Sequence, residues 1–160
     1  MTKPLEVIRS LGTQLTQGSP QGRALGIEFV SADEGRATLK VPYRADLVGD
    51  PDTGVIAGGV VTTLLDHTCG LSVWSALEEY RPTVTLDLRI DYMRAAEPGQ
   101  PVFAEAHCYK LTRSVAFVRA SAYDRDPSDP VATAQAAFML DVDRGRKGRH
   151  RLEDRAGGVS

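Results

Sequence analysis

The stretch Gly54-Val-Ile-Ala-Gly-Gly-Val-Val-Thr-Thr-Leu-Leu-Asp-His-Thr-Cys-Gly-Leu-Ser-Val-Trp-Ser-Ala-Leu77 decides how this chain folds. Val60, Val61, Leu64, Leu65, Leu71 and Trp74 recur three to four residues apart, the spacing of one helix face. The segment therefore predicts a long helix that something else must cover. Gly54, Gly58 and Gly59 open it. Asp66 stands two turns in among apolar neighbours, where an unpaired carboxylate costs several kcal/mol without a partner, water or a substrate. Asp66 is the first functional candidate.

Downstream, Val84, Leu86, Leu88, Ile90 and Tyr92 alternate with Thr85, Asp87, Arg89 and Asp91, which is a strand pattern. Glu97-Pro98-Gly99 turns the chain, and Val102–Leu111, Val115–Tyr123 and residues 131–142 predict three further strands. Upstream, residues 44–53 read as a loop, and residues 25–32 and 36–43 form a hairpin around Asp33-Glu34-Gly35. Val7, Ile8, Leu11 and Leu15 predict an opening helix, weakened by Gly12 and stopped by Gly18 and Pro20. The expected division is an N-terminal helix over 1–18, one domain over 19–143 and a basic, disordered tail over 144–160. Six antiparallel strands with one long helix after the second bury that helix only by curling the sheet around it, an α+β architecture. Some sheet edge and one helix face then lack cover, which favours a homodimer or homotetramer.

A length of 160 residues, 42% of them apolar and 25% charged, suits one core. The net charge of −2 hides a contrast: from 144 onward six Lys/Arg face Glu153 and Asp154, leaving +4 there and −6 on the rest. That tail lacks interleaved aromatics and the body is acidic, so no nucleic-acid partner is expected. Cys69 and Cys108 read as buried reduced thiols rather than a disulfide or a thiolate metal site. No long apolar run or leader-like start is present, which predicts a cytoplasmic protein with no membrane partner. His107 and His150 have no metal-ligand spacing, and no phosphate loop, dinucleotide fingerprint or nucleophile elbow occurs. No metal and no cofactor are expected.

Over about residues 20–142 the chain resembles the hotdog-fold acyl-CoA thioesterases of the phenylacetate-degradation type. Gly54, Gly58, Gly59 and Asp66 fall in register with that family's glycines and acid, and the strand from Thr85 to Met93 followed by Glu97-Pro98-Gly99 adds to the match. The resemblance implies a hotdog fold, a curved antiparallel sheet of about six strands wrapped around one long central helix. It implies hydrolysis of an acyl-CoA thioester to free acid and CoA, with Gly58 and Gly59 facing Asp66 across a dimer. It also sets Thr85 where many members use a Ser or Thr to hold the attacking water. Two positions depart from the pattern: the family's His falls on Ala57 and its loop Asn at or near Pro51, flanked by Asp50 and Asp52. A non-catalytic acyl-CoA-binding hotdog module is therefore the alternative, while a dehydratase is disfavoured because Ala57 removes the His it would need.

Thioester hydrolysis needs donors for a developing oxyanion and a group that delivers water or attacks directly. Gly58 and Gly59 can supply backbone N–H groups at a helix start with no side chain in the way; a tight start to a buried helix would need the same residues. Asp66 suits a general base or a nucleophile, or a structural acid bonded to Thr62, Thr63 or a cation. His67 points about 100° away around the helix, so an Asp-His relay is poor and a structural or interface role fits better. Periodicity sets Val84, Leu86 and Leu88 against the helix, which would turn Thr85 away from it. Lys110, Arg113, Ser114 and Arg119, around the turn after Leu111, are candidates for the phosphates of CoA or plain surface.

Overall fold

The computed structural model describes residues 2–141. Its elements run α1 (Pro4–Gln17), α2 (Pro20–Leu25), β1 (Glu28–Asp33), β2 (Arg36–Val41), a 3₁₀ turn (Ala45–Leu47), β3 (Val48–Asp50), β4 (Val55–Ile56), α3 (Gly58–Ala76), β5 (Thr83–Tyr92), β6 (Val102–Leu111), β7 (Val115–Tyr123) and β8 (Ala132–Leu140). The basic segment 144–160 lies outside the described residues. Among those residues no helix is long and apolar enough to cross a membrane.

Six strands form one antiparallel sheet in the order β1-β2-β6-β7-β8-β5. Its inner face is unusually rich in alanine: Ala104, Ala106, Ala120, Ala122, Ala134 and Ala136 are all buried. Small inward side chains let α3 lie close to the sheet, and the bulk comes from the helix, where Val61, Leu64, Leu65, Cys69 and Val73 are nearly inaccessible. The burial of this one long helix is what makes the sheet curl.

α1 packs against β1 and α3. Gly12 is a seat for Phe29: a Cβ there would lie 2.4 Å from the Phe29 ring. The helix breaks next to it, with Leu11 at φ −120° and ψ 15°. Two local features differ from the sequence reading. Ser19-Pro20 does more than stop α1, because Ser19 accepts a hydrogen bond from the Gly22 N–H at 2.9 Å and Pro20 begins α2. The expected loop over 44–53 contains the 3₁₀ turn and β3, which pairs with β4 in a small ribbon leading into α3.

An ion pair between half-exposed Arg94 and buried Asp124 ties the end of β5 to the β7–β8 turn. Arg94 donates to both oxygens of Asp124, at 2.8 and 2.6 Å, and the backbone N–H groups of Glu97 and Arg125 donate to the same carboxylate, each at 2.8 Å. Asp124 is 5% exposed. The Arg94 hydrogen bond, foremost, holds its carboxyl far below the usual aspartate range. A depressed carboxyl stabilises the fold fully above the ordinary value of about 4 and loses that contribution as the pH falls below it. Arg94→Ala should cost about 3 kcal/mol by stranding a buried charge. The melting temperature of the wild type should also fall more steeply on acidification below pH about 4 than that of Asp124→Asn.

Candidate active site

α3 begins with no side-chain cap: Ala57 occupies the N-cap and offers none. Gly58 and Gly59 are both exposed. A Cβ on Gly58 would meet only Tyr92, at 3.6 Å or more, and one on Gly59 would meet nothing within 4 Å. The chain's own packing therefore does not demand glycine at either position. This first turn is fixed from the sheet. The Tyr92 hydroxyl donates to the Gly58 carbonyl at 2.7 Å, and the Thr62 hydroxyl lies 3.1 Å from the same oxygen and 2.7 Å from that of Tyr92.

Asp66 stands two turns further on and is half-buried. Its Oδ1 accepts a hydrogen bond from the Thr85 hydroxyl at 2.8 Å. The threonines one turn earlier are engaged elsewhere, Thr62 on the Gly58 carbonyl and Thr63 on that of Gly59. Among the described residues no cation lies within ion-pair distance of Asp66.

A bulge in β5 brings Thr85 to this position. Thr85 pairs with Phe138 and Asp87 with Ala137, so Leu86 is an extra residue opposite nothing. Each extra residue reverses which face the following side chains occupy. Before the bulge Thr83 and Thr85 face α3, and Thr83 accepts from Trp74 Nε1 at 2.9 Å. After it Leu88 and Ile90 pack on the core and Tyr92 reaches Gly58. Val84 and Leu86 are instead 38% and 49% exposed. The expectation that Val84, Leu86 and Leu88 share the helix-facing side thus holds for Leu88 alone.

Asp66, His67 and Thr85 border a cavity of about 390 Å³ whose other walls are mainly apolar, among them Leu39, Leu71, Trp74 and Phe138. One polar end on an apolar pocket is the usual form of a small-molecule site. The four candidate phosphate-binding residues do not gather there. Lys110 pairs across to the exposed Phe117, and Arg119 stacks on Tyr109, its guanidinium carbon 4.5 Å from the ring centroid. Both lie on the outer face, with the sheet between them and Asp66. Arg113 and Ser114 sit in the β6–β7 turn, where their carbonyls accept from Arg81 and from the Leu140 N–H, both at 2.8 Å.

Burial pushes the Cys69 thiol up to about 12 and that of Cys108 up to about 11, so both are protonated and inert at neutral pH. Among the described residues no group of three or more His, Cys, Asp or Glu is placed to hold a metal. Sequence reasoning missed Tyr92, whose only signal was its place as the one aromatic, at the end of an alternating strand.

The spacing along α3 limits what one chain can do. Gly58 and Asp66 are eight residues apart, about 12 Å along the axis. A thioester carbon cannot sit within reach of both groups of the same chain.

A sheet that curls in this way around a single helix is the hotdog fold, and this chain has it. The chain belongs to the thioesterase superfamily, whose family model matches residues 53–131. A medium/long-chain acyl-CoA thioesterase, YigI of Salmonella typhimurium, is 27% identical over 148 residues, which cover 84% of this chain and 94% of that protein. A crystal structure of a Pseudomonas aeruginosa protein superposes with a TM-score of 0.73 at 41% identity, covering 85% of this chain and 98% of the other. The phenylacetic acid degradation protein PaaI of Thermus thermophilus is 27% identical with a TM-score of 0.66, over 76% of this chain and 98% of that one.

Proposed function

We propose that this thioesterase-superfamily chain hydrolyses acyl-CoA thioesters to the free acid and CoA. The observation that carries the reading is Asp66: a half-buried carboxylate with no cation beside it among the described residues, oriented by Thr85 at the border of a mainly apolar cavity. One carboxylate oxygen takes the Thr85 hydrogen bond, and the other is available to remove a proton from water or to attack the thioester carbon. Thr85 sets the direction of that oxygen and can hold the water. The acyl chain occupies the apolar cavity.

The separation of about 12 Å on α3 favours a site in which Gly58 and Gly59 of a second copy supply the oxyanion donors facing Asp66. β5 is a ten-residue edge strand, and Gly59, Thr63, Asp66 and Gly70 form a partly exposed stripe along α3. Both features suit a close, two-fold association. The phosphates of CoA then meet Lys110, Arg113, Ser114 and Arg119 only from a neighbouring subunit. Light scattering at micromolar concentration should give the mass of a dimer or tetramer, and the mass of a single chain would defeat the shared site.

The alternative, a module that holds acyl-CoA without turning it over, draws on Ala57, which puts a methyl group where the family carries its His. A hydrolysis assay with acetyl-CoA through palmitoyl-CoA decides between them. Turnover that rises above the uncatalysed rate supports the thioesterase; tight binding with no turnover sinks it.

A further inference from the structure

A second cavity of about 250 Å³ lies beneath α1, and Leu15 and Trp74 are walls of both it and the Asp66 cavity. Beyond them it is bounded by Thr2, Pro4, Val7, Ile8 and Tyr80, so it is mainly apolar. Trp74 is held firmly: Nε1 donates to Thr83, and its ring meets Tyr80 edge to face with centroids 5.6 Å apart. Leu15 is held less tightly, being 38% exposed near the end of a helix whose backbone breaks at Leu11.

We propose that Leu15 and Trp74 form a gate between two chambers of one acyl channel, and that the chamber under α1 receives the far end of a long acyl chain. The inference rests on the thioesterase reading and deepens it by making α1 the element that sets chain-length preference. The two walls it shares with the Asp66 cavity give the channel its occupant. Trp74 lies eight residues beyond Asp66, about 12 Å along α3, so short chains end before the gate while long ones must pass it. The walls of the second chamber are mainly apolar, and each methylene withdrawn from water there strengthens binding about fourfold.

Trp74 is the only tryptophan in the chain, so its emission reports directly on the gate. The test titrates the full-length protein with two non-hydrolysable thioethers, S-butyl-CoA and S-hexadecyl-CoA, and compares turnover of butanoyl-CoA and palmitoyl-CoA. The hexadecyl compound should shift Trp74 emission and the butyl compound should not. Val7→Phe fills the distal chamber, and it should lower the palmitoyl-to-butanoyl ratio of kcat/KM at least about tenfold, the loss of two buried methylenes. Leu15→Ala, at an exposed position that a melting curve will show to be tolerated, should raise that ratio. A wild type that turns over acyl-CoA but shows no hexadecyl-specific emission change, or ratios unmoved in both folded variants, overturns the gate. If the wild type hydrolyses nothing while S-hexadecyl-CoA still shifts Trp74 and Val7→Phe abolishes the shift, the gate stands and the thioesterase reading falls. No turnover and no shift overturns both.

Discussion

Asp66→Asn is expected to lower acyl-CoA hydrolysis by about 10²–10⁴-fold, the contribution of a positioned base, while the melting temperature stays near that of the wild type. The amide keeps the volume of the carboxylate, and its oxygen can still accept the Thr85 hydrogen bond. What it loses is the negative charge. A structural acid paired with a cation would behave in the opposite way, because the substitution would strand the cation at a cost of several kcal/mol. No such cation stands beside Asp66 among the described residues. A melting curve and a turnover rate on this one variant separate the two roles. An unchanged rate with lowered melting sinks the catalytic assignment, and lost rate with retained melting sinks the structural one. Binding of acyl-CoA should survive the change.

Gly58→Val should be nearly as damaging to turnover, by about 10²–10³-fold, the usual effect of losing an oxyanion donor. The added Cβ meets Tyr92 only at ordinary contact distance, so the helix start has room for it. The methyl groups beyond it would occupy the space from which a thioester carbonyl must approach the backbone N–H groups. A folded variant that keeps turnover within a few-fold would remove those donors from the mechanism.

The legible parts of this fold were those that binary patterning controls. β6 and β7 begin and end where their alternation does, and α3 lies inside the stretch whose helical spacing announced it. The six-stranded sheet around one helix followed from the order of elements. What stayed hidden was set by pairing between distant segments. The orientation of Thr85 depends on an extra residue at Leu86, and that residue is extra only relative to β8. Strict alternation in the sequence therefore pointed the wrong way for half of β5, while the family resemblance set Thr85 beside the acid without explaining how it gets there. Ser19-Pro20 carries the signals of both a helix stop and a helix start, and only the hydrogen bond from Gly22 shows the second. The cavity walls come from β2, α1, α3, β5 and β8 together, so no single stretch encodes them.

The eight residues that separate Gly58 from Asp66 on one straight helix also bear on inheritance. With sites shared as proposed, a mixed dimer of Asp66→Asn and Gly58→Val chains has one site carrying both lesions and another carrying neither. Two variants that are each inactive should then rescue one another when unfolded and refolded together, or when co-expressed in one cell. Random pairing would return about a quarter of the wild-type activity, from a half share of mixed dimers with one working site each. Two loss-of-function alleles of this gene would then complement, because the unit that the proposed chemistry requires is the pair of chains.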